Sequence, residues 1–215
     1  MEIIPVLLVV LLVVVVVALV IGFVVRHRSQ RQESTEQEPI DPFHTGDQDS
    51  LRGDPRTLKA GDIVELRGLS YTVRGSLRLS EGGWGWSEHL LDDAKGTQVW
   101  LGVEEDPELT LSLWTPLPDS TDDSADSRDS TPRLEPGPSA IDFRGRTYTA
   151  QESGSAHYRS EATTGLNEQG TVRYHDYEAP DGSLLGFEAY GEADWEVSQG
   201  EELSRYDMLI YPASA

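Results

Sequence analysis

The chain has 215 residues and carries 38 Asp and Glu against 17 Lys and Arg, a formal net charge of -21. That balance argues against a nucleic-acid partner, because affinity for phosphate backbones comes mostly from neutralising Lys and Arg. Cysteine is absent, which excludes disulfides, thiolate metal sites and cysteine nucleophiles together.

Residues 1–25 hold a single ionisable side chain, Glu2, and from Ile3 to Val25 the sequence is almost all Val, Leu and Ile. At ~1.5 Å per residue a helix of this length reaches roughly 34 Å, enough to cross a ~30 Å hydrocarbon core. Pro5 falls in the first turn, where its missing N–H is no loss. A cleaved signal peptide is disfavoured by the acidic start and by the lack of a small-residue cleavage pattern before Arg26. Arg26, Arg28 and Arg31 follow the span. Basic flanks stay on the cytoplasmic side, so the expectation is a single-pass protein of the cell membrane. Its N-terminus would lie outside, residues 3–25 in the bilayer, and the acidic bulk in the cytoplasm.

Residues 26–57 are rich in Gln, Glu, Ser, Asp and Pro, which predicts a disordered linker. Beyond it, residues 58–212 read as one β domain, interrupted at 116–139 by a Ser/Asp/Pro-biased insert that is also expected to be disordered. In the flanking halves, 58–115 and 140–212, apolar residues recur with the period of two that marks half-buried strands. Tyr71, Val73, Leu77 and Leu79, then Val99, Leu101 and Val103, and later Val172 and Tyr174 all alternate with polar neighbours. Arg67-Gly68, Arg144-Gly145 and Asp181-Gly182 supply turns.

The halves look alike. Val64 to Val73 aligns without gaps with Ile141 to Ala150, and Trp100-Leu101-Gly102-Val103-Glu104 resembles Leu184-Leu185-Gly186-Phe187-Glu188. An internal duplication follows. The fold class expected is all-β, with duplicated antiparallel meanders forming one sandwich or barrel after a single N-terminal transmembrane helix.

The soluble region resembles the bacterial domain-of-unknown-function family 4178 through Leu58 to Val64, Tyr71 to Gly75, Trp86 to Leu90, Trp100 to Glu104 and Tyr177 with Gly182 to Glu188. The resemblance covers about residues 58–212 and implies no catalytic residue. It does suggest gene neighbours of two kinds, small membrane proteins and aminopropyltransferase-like proteins of polyamine metabolism.

Among motifs that could carry chemistry, His27, His44, His89, His157 and His175 lack the short paired spacing of a metal site. Ser153-Gly154-Ser155-Ala156-His157 lacks the strand-turn-helix setting of a nucleophile elbow and reads as a turn entering a strand. No cofactor, metal or catalytic residue is assigned. The unusual stretch is Glu81-Gly82-Gly83-Trp84-Gly85-Trp86, in which Trp84 and Trp86 share a strand face and can form an aromatic platform. Glu88 lies on the same face. Together with Tyr177 and Glu188 these are the candidate ligand or partner contacts.

The leading expectation is a non-enzymatic binding or scaffolding module for a membrane-protein or basic-protein partner. The alternatives are a small enzyme or a polyamine-responsive domain with its site between the halves. A deep pocket in which Glu88 and Glu188 converge would favour chemistry, and a filled interface would favour binding.

Overall fold

The computed structural model describes residues 51–118 and 134–213. The expected span, Arg26, Arg28, Arg31 and the middle of the insert lie outside those residues. Among the described residues no helix is long and apolar enough to cross a membrane.

The fold is all-β, a large antiparallel sheet. Its first half holds β1 (Ile63–Leu66), β2 (Leu69–Glu81), β3 (Trp84–Asp92), β4 (Gln98–Glu105) and β5 (Leu109–Pro116). Its second half holds β6 (Ala140–Phe143), β7 (Arg146–Ala162), β8 (Gln169–Glu178), β9 (Ser183–Tyr190) and β10 (Glu196–Glu202), and β11 (Met208–Tyr211) follows. The sheet runs β11-β1-β2-β3-β4-β5-β10-β9-β8-β7-β6, and β2 also pairs with β7. Hydrogen bonding therefore returns to its starting strand. The ring β2-β3-β4-β5-β10-β9-β8-β7 is a closed barrel, and β1, β11 and β6 form a second layer outside it.

Both halves enter the ring through the same device. Arg67-Gly68 and Arg144-Gly145 all have positive φ, at 48°, 84°, 47° and 76°, as the type I′ hairpin requires. Arginine is not a natural choice for that backbone. Arg67 gains contacts in return, lying 2.9 Å from Glu201 and 3.2 Å from Asp207.

A bulge then follows in each half, between Val73 and Gly75 in β2 and between Ala150 and Glu152 in β7. The extra residue reverses which face of the strand each side chain meets. Tyr71 and Val73 join an outer cluster with Leu66, Leu91, Leu101 and Met208, whereas Leu77 and Leu79 beyond the bulge join an inner one with Ala156, Tyr158 and Val172. Tyr148 and Tyr158 part in the same way across the second bulge, Tyr148 joining Phe143, Tyr177, Leu185 and Phe187 outside the ring. One unbroken apolar alternation thus serves two layers.

Ring closure constrains Gly75, where a Cβ would stand 2.6 Å from the Thr163 carbonyl. The matched hairpins and bulges also fix the correspondence between halves. Leu91 pairs with Val99 as Tyr177 pairs with Leu185, so Val99 matches Leu185 and Trp100 matches Gly186. The sequence alignment of these strands is out by one pleat.

Domain boundaries also differ from expectation. Residues 51–57, assigned to the linker, bury Pro55, and the Arg56 guanidinium donates to Glu105 at 2.9 and 3.0 Å. Residues 134–139, assigned to the insert, lie against the second half. There Leu134 packs on the outer cluster, and the Tyr177 hydroxyl accepts from the Gly137 N–H at 2.9 Å and donates to the Pro138 carbonyl at 3.1 Å. Ser153 to His157 lies within β7, so the turn read there is strand, and Ser153 pairs across to His175.

Candidate functional site

The inward-facing residues of the ring enclose a cavity of about 500 Å³. Every other residue of a strand points inward, and the lining follows that rule: Trp84, Trp86 and Glu88 from β3, Trp100, Gly102 and Glu104 from β4, Ser112 and Trp114 from β5, Tyr174 and Asp176 from β8, Gly186, Glu188 and Tyr190 from β9. Glu81, Asp106, Glu152 and Glu196 complete the acids. Among the described residues, eight carboxylate side chains and six aromatic rings line the space, and no Lys, Arg or His does.

The aromatic rings are held in place. Trp114 donates its indole N–H to Ser112 Oγ at 2.8 Å and lies against glycines of the second half. A Cβ at Gly200 would come within 2.5 Å of its ring, and one at Gly186 within 3.0 Å. Trp86 meets Tyr174 edge to face with centroids 5.9 Å apart. Two glycines thus make room for an indole that projects from the other half, and π faces are left toward the cavity.

The carboxyl groups fall into two connected groups. Glu88 and Glu188 act on one another, the charge of Glu188 and side-chain hydrogen bonding to it both raising the Glu88 pKa, and each has an aromatic donor, the Trp86 indole at 3.1 Å and the Tyr190 hydroxyl at 2.9 Å. The Tyr174 hydroxyl donates to Glu81 at 2.7 Å with Glu152 3.3 Å away. Burial, then the Glu188 charge, holds Glu88 well above the ordinary carboxylate range. Glu188 is pushed up to about 7 by burial, despite the Tyr190 hydrogen bond that favours its charge. Asp176 is raised to about 7 by burial and then by Glu188, Glu152 and Glu104. Glu104 is raised by burial and by Glu152 and Asp106. The physical origin is common to all: burial disfavours the charged form, and neighbouring carboxylates add repulsion that no cation among the described lining residues relieves.

Of the sequence-predicted contacts, Trp84, Trp86, Glu88 and Glu188 meet in this cavity. Tyr177 does not. It sits one residue beyond the inward-facing Asp176, so it points out of the ring, 1% exposed, into the outer cluster. Trp100, Trp114, Tyr174, Tyr190, Glu104, Glu152 and Asp176 were not foreseen. Their signal was present: on β4 and β5 the positions between the apolar residues carry Trp, Gly, Glu and Ser, a second patterned face rather than a solvated one.

Outside the ring, His89 is buried with Ser76, Oγ to Nδ1 2.8 Å. Burial lowers its pKa to about 3, so it is a neutral packing residue. Among the described residues no group of three or more His, Cys, Asp or Glu is placed to hold a metal ion.

Residues 59–205 match a family described as Domain of unknown function (DUF4178). Two uncharacterised proteins, one from Mycobacterium bovis and one from Mycobacterium tuberculosis, are each 34% identical to the chain over 166 residues, which is 74% of this chain and 74% of theirs. No solved structure matches.

Proposed function

The chain belongs to the DUF4178 family, and since that family comes without an activity, we propose from the site itself that this is a ligand-binding protein whose barrel takes an organic cation. Polyamines are the class that best suits it. The observation that carries this reading is the cavity between the two halves, walled by carboxylates and indole faces and, among the described residues, by no basic side chain. Carboxylates supply charge and hydrogen-bond acceptors. Aromatic faces attract an ammonium by about 0.5–2 kcal/mol, more when water is excluded, and accept the methylene stems between ammonium groups.

The apolar N-terminal stretch and Arg26, Arg28 and Arg31 support placing this barrel beside a membrane, with its N-terminus outside and the barrel in the cytoplasm. Each basic residue there adds on the order of 1 kcal/mol of attraction to an anionic leaflet. A cavity set inside a barrel favours a small ligand over a docked basic protein, because a folded protein surface cannot reach its inner walls. Calorimetric titration of spermidine into the full-length chain at physiological salt tests the reading. Saturable binding supports it, and heat that vanishes at that salt concentration overturns it.

A second reading, a small enzyme, is the one that a pocket holding both Glu88 and Glu188 was expected to favour, and it draws on that pair as groups able to give and accept a proton. Recovery of the bound amine unchanged after long incubation would count against it.

A further inference from the structure

This inference rests on the organic-cation reading and narrows it. Glu88 on β3 and Glu188 on β9 stand on opposite sides of the ring, with β4, β5 and β10 between them one way and β2, β7 and β8 the other. Both nonetheless line one cavity, and the charge of Glu188 together with side-chain hydrogen bonding to it favours the protonated form of Glu88. A carboxylate only accepts, so a hydrogen bond between the two requires a proton on one of them. The Trp86 and Tyr190 donors occupy further lone pairs of the same two groups.

Among the described residues, every ionisable group that faces the pair is acidic or phenolic: Glu81 on β2, Glu104 and Asp106 on and after β4, Glu152 on β7, Tyr174 and Asp176 on β8, Tyr190 on β9 and Glu196 on β10, while β5 contributes none. Without a bound cation, the positive charge such a cluster needs comes from a proton taken from solvent. The aromatic walls alone would suit any ammonium. The pair is more selective, since what replaces the proton must also replace its hydrogen bond.

We infer that the ligand presents an ammonium bearing N–H groups, which bridges Glu88 and Glu188 in place of their shared proton, so that uptake expels that proton to solvent and quaternary ammonium ions are rejected. A quaternary group can stack on an indole, but it would leave two facing carboxylates with neither a proton nor a donor between them, and charged hydrogen bonds left unmade by half-buried groups are costly. No covalent bond changes in the exchange. An N–H⁺ donor replaces an O–H donor, and the released proton is taken by buffer.

Hexamethylenediamine and hexamethonium make the test, since they share chain length and charge and differ in N–H groups. Each is titrated at pH 7 into the full-length chain, in non-ionic detergent, in two buffers of different ionisation enthalpy. The expected result is that the diamine binds with release of about one proton per site, read from the difference between buffers, and that hexamethonium binds about tenfold weaker or more, the value of a charge-assisted hydrogen bond of ~1.5 kcal/mol. Glu188→Gln, close in shape to Glu188, should cut diamine affinity by about the same factor and abolish proton release. If that variant does not fold, the buffer dependence of the unaltered chain decides alone. Equal binding of both probes without buffer dependence would overturn this inference and leave the cation-binding reading standing. Failure of both probes and of spermidine would overturn both.

Discussion

The two halves of the barrel share a scaffold and differ in what they point inward. Outside the ring, matched positions are apolar in both: Leu91 and Tyr177, Val99 and Leu185, Leu101 and Phe187, Val103 and Ala189 are all buried. Inside, matched positions are unlike. Trp86, Trp100 and Trp114 of the first half answer to Val172, Gly186 and Ser198 of the second, and Gly102 and Glu104 answer to Glu188 and Tyr190. Packing of these outer positions keeps them apolar in both halves, whereas the inner face is where a ligand would be met. Bulk from one half faces space from the other, so the cavity is a product of the asymmetry rather than of either half.

That comparison can be broken most severely at Trp114. Removing its side chain as Trp114→Ala should cost about 3 kcal/mol in denaturant unfolding, at the low end for buried aromatics because the ring is only partly buried. Ser198→Ala, the matched change in the second half, should stay within about 0.5 kcal/mol, as should Trp84→Ala at a position 62% exposed.

Gly75 and Glu152 are also counterparts, each just past a bulge. Gly75→Ala pushes a Cβ against the Thr163 carbonyl at the closure of the ring and should destabilise by about 2 kcal/mol, while Glu152→Ala should do far less. Unfolding midpoints of the two variants side by side provide the check.

The matched cross-strand pairs Ser76–His89 and Ser153–His175 sharpen the contrast further. The first is buried, and His89 leaves Nε2 without a hydrogen-bond partner. The second is more open, with His175 edge-on to Trp195 at 5.4 Å. His89→Ala should cost about 2 kcal/mol and His175→Ala less than about 1 kcal/mol. Burial keeps folded His89 neutral, its pKa lowered to about 3, while the unfolded chain's imidazole gains a proton as pH falls, so the contribution of His89 shrinks on the acid side and His89→Ala should cost less at pH 5 than at pH 8.

The smallest expected effect is the pH dependence of the barrel's stability. Glu88, Asp176 and Glu188 are raised above the ordinary carboxylate range, the last two to about 7. The folded chain therefore holds protons that the unfolded chain has already lost, and stability must fall as pH rises from the ordinary carboxylate range through about 7. Melting should be a few degrees lower at pH 8 than at pH 5.5, since ~1 kcal/mol corresponds to about 2–4 °C for a domain of this size. Glu188→Gln should raise the midpoint at pH 8 and flatten the profile.

Much of the fold was legible because turn chemistry and period-two alternation are local. The Arg-Gly hairpins and the likeness of Val64–Val73 to Ile141–Ala150 are visible in the sequence and recur as matched hairpins and bulges. The bulges themselves were not legible, because an extra residue leaves the apolar alternation of Tyr71, Val73, Leu77 and Leu79 intact while changing the layer it serves. The site was half legible for the same reason. Trp84, Trp86 and Glu88 stood out beside glycines, but Trp100 and Trp114 were hidden between residues already assigned to the core. Tyr177 was misplaced because a strand's two faces are told apart only by register.

The barrel domain begins and finishes at one place. Strand β11 is zipped to β1 from Met208 to Tyr211, the Arg205 guanidinium donates to the Gly53 carbonyl, Arg52 reaches the Tyr206 carbonyl at 2.9 Å, and the Ala213 N–H meets Asp62 at 2.8 Å. A circular permutant that joins these neighbouring ends and opens the chain between Leu117 and Leu134 would keep every strand pairing described above. Domains whose termini are adjacent tolerate such rewiring. The order in which the polypeptide visits its strands is in that sense separable from the ring they build.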